Sequence, residues 1–174
     1  MRLMRDAQPR VVVAALGVLA TAFCSMAVPS AGECAETLAS TLTVGDSCTY
    51  ADLQAAVDAA VSGDTILVQG KTFTGSDAFT MIDDKSLTIV GGYDATCSSL
   101  DGSRSILDIT AMGASAFWIN GRGGSSIVIE RFDITGGDIY SANGCGIHTF
   151  NQGNVTLIDV DIYGNNANFG GGLC

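Results

Sequence analysis

The sequence predicts an all-β protein, a parallel β-helix that stacks short strands into a solenoid behind one N-terminal capping α-helix. Three observations carry that expectation. Gly supplies 22 of the 174 residues, and there are 15 Asp against only 3 Glu, a composition rich in turn formers. Short apolar runs bounded by Gly, Asp, Asn or Ser recur along most of the chain without a helical period. Two of the later stretches, Ile127–Gly136 and Val155–Gly164, match position by position.

Composition also removes function classes. The 47% hydrophobic content and 15% charged residues are incompatible with a disordered chain. A net charge of −10 argues against nucleic-acid binding, which needs basic patches.

Residues 1–31 read as a signal peptide. Arg2, Arg5 and Arg10 precede an uncharged run from Val11 to Val28, and small residues follow. Cleavage fits after Ala27 or after Ala31. An uncleaved anchor is the competing reading, but the run is rich in Ala, Thr and Ser rather than Leu and Ile. Removing residues 1–27 takes away three Arg and one Asp, so the net charge moves from −10 to −12. Five cysteines then remain, an odd number for an oxidising compartment. Cys34 and Cys48 flank a short Thr/Ser-rich segment and form the expected local disulfide, which leaves Cys97 without an assigned partner. With no Cys-x-x-Cys pair and no histidine read as a neighbour, zinc is not expected.

Residues 32–48 read as an irregular or extended lead-in, and residues 49–174 as the β-helix. The capping helix is expected over about 50–62, because Leu53, Ala56, Val57, Ala60 and Val61 recur at helical spacing. Thr49 with Asp52 forms its capping box and Gly63 its stop. Strand runs then follow at Thr65–Val68, Ser86–Val90, Ser105–Ile109, Ser126–Ile129 and Val155–Ile158. The steps from Ile66 to Leu87, Ile106 and Ile127 are each roughly 20 residues, and the step on to Val155 is somewhat longer, which is the range of a solenoid repeat. In the last two units Ile127/Val155, Ile129/Leu157, Phe132/Val160 and Ile134/Ile162 coincide, as residues stacked inside a coil should. A flat antiparallel sandwich would want tight Asn-Gly hairpins between alternating runs, and none is present. The absence of Pro from Gly32 onward agrees with a continuous ladder.

These residues resemble right-handed parallel β-helix proteins with polymorphic outer-membrane-protein-type repeats. The stretch Leu53–Val68 is similar to the N-terminal cap and first strand of pectate-lyase-like β-helices. Ser86–Asp94 followed by Ser105–Asp108 is similar to the next rungs in exported bacterial members. Ile162-Tyr-Gly-Asn165 and Gly170-Gly-Gly-Leu173 are similar to the paired motifs Phe-x-x-Asn and Gly-Gly-Ala-Ile, with Ile162 in place of the Phe and Gly172 in place of the Ala. The resemblance covers roughly residues 48–174. It implies a right-handed coil in a secreted, cell-surface or outer-membrane protein, often an adhesin-like passenger and sometimes a polysaccharide lyase or hydrolase.

Few residues carry catalytic chemistry. Asp133 and Asp161 share a column one rung apart, with Asp159 and Arg131 in another. At the roughly 4.8 Å spacing of adjacent strands, stacked carboxylates can share a proton or a calcium ion. Outward Asp residues at rung corners also satisfy turn backbone groups, and Arg131 over Asp159 reads as a surface ion pair. Asp133, Asp159 and Asp161 are therefore the site residues of the enzyme reading, with calcium as its metal; the surface-module reading needs no cofactor. His148, the only histidine, reads as an exposed strand residue. Trp118 and Phe117 read as packed inside a rung, with a sugar-stacking platform as the alternative.

The last motif stops at Cys174, so the solenoid reads as incomplete at the C-terminus. An open rung would expose the apolar stack of Val155, Leu157, Val160 and Ile162 and favour self-association through that edge. The sequence thus points to an exported binding, adhesion or structural module whose partner is a surface glycan or a protein, with no nucleic acid and no membrane span in the mature chain.

Overall fold

The computed structural model describes residues 38–174 apart from 111, 138–144, 152 and 168–170. The expected signal peptide, residues 1–31, lies outside the described residues, as does Cys34. Strands dominate. They are β1 (Thr41–Val44), β2 (Thr65–Gln69), β3 (Thr72–Thr74), β4 (Thr80–Asp83), β5 (Leu87–Tyr93), β6 (Ser105–Asp108), β7 (Phe117–Asn120), β8 (Ser126–Thr135), β9 (Ile147–Phe150) and β10 (Asn154–Ile162). Among the described residues one α-helix, α1 (Leu53–Ala59), stands between β1 and β2.

Every strand pair named here is parallel, and the chain returns to the same three columns in the same order. The first column stacks β1, β2, β5, the first half of β8 and the first half of β10. The second stacks β3, β6 and the second halves of β8 and β10. The third is a separate sheet of β4, β7 and β9. Parallel neighbours need a crossover rather than a hairpin, which is why the antiparallel turn signals are missing.

The interior is built from aligned apolar residues. Leu42, Ile66, Ile89, Ile129 and Leu157 are successive partners in the first column. Phe73, Leu107, Ile134 and Ile162 are successive partners in the second. Ile66, Ile89, Ile129, Leu107 and Ile134 are fully buried. Leu157 in β10 is 37% exposed, because β10 pairs with β8 and with no further strand among the described residues. The register expected between the last two units is observed at each of the four positions.

The spacing of the earlier units is different from the expected one. Leu87 and Ile127 are direct partners. Ile106, expected between them, pairs instead with Thr72 and Asp133 in the second column. The short steps read from the sequence therefore mix two columns. The return from Leu87 to Ile127 spans two of those steps because the loop 94–104 and strands β6 and β7 are traversed on the way. The bend that splits β8 and β10 between columns is made by matched left-handed residues, Arg131 (φ 63°) and Asp159 (φ 51°).

The cap also differs in detail. The helix covers Leu53–Ala59, not 50–62, and Asp52 is its N-cap, accepting the Ala55 N–H at 2.8 Å. Thr49 is drawn away by Thr43, whose hydroxyl accepts the Thr49 N–H at 3.0 Å. Val61 does not continue the helix because Asp64 accepts its N–H at 2.8 Å and that of Ser40 at 2.7 Å. Lys85 donates to the carbonyls of Val57 (2.6 Å) and Asp58 (3.1 Å) at the helix end, where a cation is favoured. The segment expected as a lead-in contributes β1, so the sheet begins within it.

The expected Cys34–Cys48 bridge is not made. Cys48 is bonded to Cys97, with Cα atoms 5.9 Å apart, and Cys145 to Cys174. Sequence proximity favoured Cys34, but β1 lies beside β2 and β2 beside β5, so the turn after β1 meets the loop after β5. Close approach explains one glycine directly: a Cβ at Gly91 would stand 2.5 Å from the Arg131 carbonyl oxygen.

Candidate functional site

The predicted carboxylates do converge, and Asp133 and Asp161 are register partners. Their centre, however, is Arg104, which nothing in the sequence pattern singled out. It directly precedes β6, and β6 lies beside the second half of β8, so its side chain reaches across both β8 and β10. Arg104 Nε donates to Asp133 Oδ1 at 2.6 Å, and Arg104 Nη1 to Asp159 Oδ1 at 2.6 Å. Arg104 Nη2 donates to the carbonyls of Phe132 (2.9 Å) and Asp159 (2.8 Å) and stands 3.6 Å from Asp161. Arg131 adds a looser contact to Asp159 at 3.9 Å, as its column predicted.

Burial alone would lower the Arg104 pKa, but its hydrogen bonds to Asp159 and Asp133 outweigh that and raise it above its ordinary value. A permanent guanidinium therefore occupies the position among these carboxylates where the enzyme reading wanted a free acid, base or calcium ion. Such a multi-centre pair fixes geometry, joining neighbouring strands.

A roomier concave surface lies elsewhere, between α1, the 3₁₀ turn Gly75–Ala78 and β4. It is a groove of about 540 Å³ lined by Asp52, Gln54, Asp58, Ser76, Asp77, Phe79 and Met81. Gln54 assembles it. Its Oε1 accepts the Met81 N–H at 2.6 Å, while its Nε2 donates to the Met81 carbonyl at 3.2 Å and to Asp58 at 2.7 Å. The carboxamide thus takes the place of a neighbouring strand at the edge of β4 and pins the helix there. Three carboxylates rim the groove, and Phe79 and Met81 give it an apolar wall. A pocket with an apolar surface and a few convergent polar groups is the usual form of a ligand site.

The aromatic pair divides between the two faces of β7. Phe117 is buried, with its ring edge-on to Phe132 at 6.0 Å. Trp118 faces outward in a column with Met81 and His148. Its ring stacks on His148 at 4.3 Å and meets Phe150 edge-on at 5.5 Å. His148 is accordingly half-buried rather than an exposed strand residue, with its Nδ1 3.2 Å from Cys174 Sγ and 4.0 Å from Cys145 Sγ. The signal in the sequence was the spacing Cys145-x-x-His148, which places Cys145 just before β9 and His148 as its second residue.

Among the described residues, no helix is long and apolar enough to cross a membrane. No family model matches the chain, and no curated protein or solved structure is significantly similar to it.

Proposed function

We propose that this protein is an exported, right-handed parallel β-helix acting as a binding module, and that the groove beside α1 takes a neutral or amino-bearing sugar of a surface glycan. The fold reading rests on three parallel columns visited in a constant order. Export rests on the Arg-led apolar segment before residue 31.

The observation that carries the ligand class is the pairing of Phe79 and Met81 with Asp52, Asp58 and Asp77 around one groove. Sugar C–H faces pack on apolar walls, and hydroxyl or ammonium groups donate to carboxylates. Acidic polysaccharides are disfavoured by the groove's carboxylates and by the net charge of −10.

The test is calorimetric titration with neutral, aminated and uronic-acid oligosaccharides, alongside a Phe79→Ala/Asp77→Asn variant. Binding of neutral or aminated sugars, weakened at least about tenfold in the variant, is the expected result, equivalent to about 1.4 kcal/mol. Binding of uronic-acid chains alone, or unchanged affinity in the variant, would overturn it. Calcium-dependent cleavage of an acidic polysaccharide, lost in Asp133→Asn/Asp161→Asn, would install the lyase reading instead.

A further inference from the structure

We propose that Cys145, His148 and Cys174, in their dithiol state, form a binding site for one soft divalent cation of the zinc type. This inference is independent of the glycan groove. The three ligand atoms lie within 4.8 Å of one another, the only such group of three among the described residues. With Zn–S near about 2.3 Å and Zn–N near about 2.0–2.1 Å, a tetrahedral site has S···N edges of roughly 3.5 Å. The distances of 3.2 and 4.0 Å from His148 Nδ1 to the two sulfurs bracket that edge. Opening the sulfur–sulfur bond must also let the two sulfurs part to the roughly 3.8 Å edge of such a site.

The ligands stand on fixed supports. His148 lies in β9, and Trp118, its register partner in β7, stacks on its ring at an interplanar angle of 18°. This holds Nδ1 towards the sulfurs. Cys174 is tied by its own N–H to the Ile147 carbonyl (3.1 Å) and by its carbonyl to the Thr149 N–H (2.8 Å). Cys145 is buried, and its sulfur lies 3.3 Å from Ser115 Oγ, an outer hydrogen bond of the kind that steadies metal-bound thiolates. Three protein ligands leave the fourth position to water or an added ligand, and His148 and Cys174 are both partly open to solvent. Cys48 and Cys97 have no such neighbour, since His148 is the only histidine in the chain.

The chemistry is a two-step exchange. A dithiol reductant passes two electrons and two protons to the Cys145–Cys174 bond, giving two thiols and the reductant's own disulfide. The metal ion then displaces both thiol protons and binds two thiolates and the neutral imidazole. The disulfide and the metal-bound form exclude each other.

The test uses the full chain, reduced with a phosphine under anaerobic conditions and titrated with cobalt, then zinc. One equivalent of cobalt should produce a thiolate-to-metal charge-transfer band and strong tetrahedral d–d bands, and zinc should displace it. His148→Ala should weaken binding more than about 100-fold, beyond the range of outer-shell changes. Cys145→Ser/Cys174→Ser should abolish the bands. The proposal is overturned if reduced wild-type protein shows no such bands. Bands that persist in the double variant would assign the ion to the other cysteines, and equal affinity in His148→Ala would remove the imidazole; either result also overturns it. Circular dichroism runs in parallel: a reduced chain that loses its β signal and recovers it on adding zinc supports the site, and one that stays unfolded with zinc refutes it.

Discussion

Gln54 holds both backbone groups of Met81, accepting its N–H at 2.6 Å and donating to its carbonyl at 3.2 Å. A helix residue thereby terminates the edge of β4, which would otherwise offer unpaired backbone to another chain. Gln54→Leu keeps the side-chain volume and removes both bonds. The expected loss is about 0.5–1.5 kcal/mol, since water reaches this edge. A urea midpoint shift with unchanged slope would report it, and an unchanged midpoint would show that the edge needs no such closure.

Arg104 ties β8 and β10 to the turn before β6 through two carboxylates and two carbonyls. Arg104→Met should cost about 1–3 kcal/mol, with part of the ion-pair contribution lost to solvent screening. Arg104→Lys should recover little of it, because an ammonium cannot span the same set of acceptors. The wild-type advantage should shrink in high salt. Thermal melts at two salt concentrations measure all three.

The Cys48–Cys97 bond closes a 49-residue separation between the turn after β1 and the loop after β5. Cys48→Ser/Cys97→Ser should destabilise by about 2–5 kcal/mol. Non-reducing peptide mapping should recover Cys48 joined to Cys97. A Cys34–Cys48 peptide would contradict this placement of the first columns.

Ile129 and Leu157 are register partners in the same stack, yet one is fully buried and the other 37% exposed. Ile129→Ala should cost about 2–5 kcal/mol, the range for a large-to-small change in a packed core. Leu157→Ala should cost under half as much. Equal losses would mean that β10 is covered in solution, and sedimentation would then show an assembly larger than the monomer.

Acid should unfold the protein through its hydrogen-bonded carboxylates. Hydrogen bonds from Ser99, Thr96 and Ser98 hold the Asp94 carboxyl well below the usual range, and Ser103 does the same for Asp101 and Thr110 for Asp108. The backbone N–H groups of Ser40 and Val61 lower Asp64. Folded pKa values below the unfolded value of about 3.9 mean that the unfolded chain binds more protons in acid. The stabilisation is complete well above that value and is lost as pH falls through it towards the folded values. Melting temperature should therefore be flat down to about pH 5 and then fall, with a shallower slope in Asp94→Asn.

Periodicity alone determined that residues 38–174, where described, form strands with one short helix, and which faces of β8 and β10 point inward. No irregular excursion within those two strands alters their match, so stacking leaves aligned apolar letters in the sequence. The column of Asp133 and Asp161 was legible for the same reason. Tertiary structure decided what depends on unequal loop lengths. The long return between β5 and β8 moved Ile106 into another column, brought Cys97 to Cys48, and carried Arg104 over Asp133 and Asp159. Likewise, the return from β9 to the last bridge, Ile147 with Leu173, placed Cys174 against His148. Local pattern fixes what each segment is; only the path between segments fixes which side chains meet.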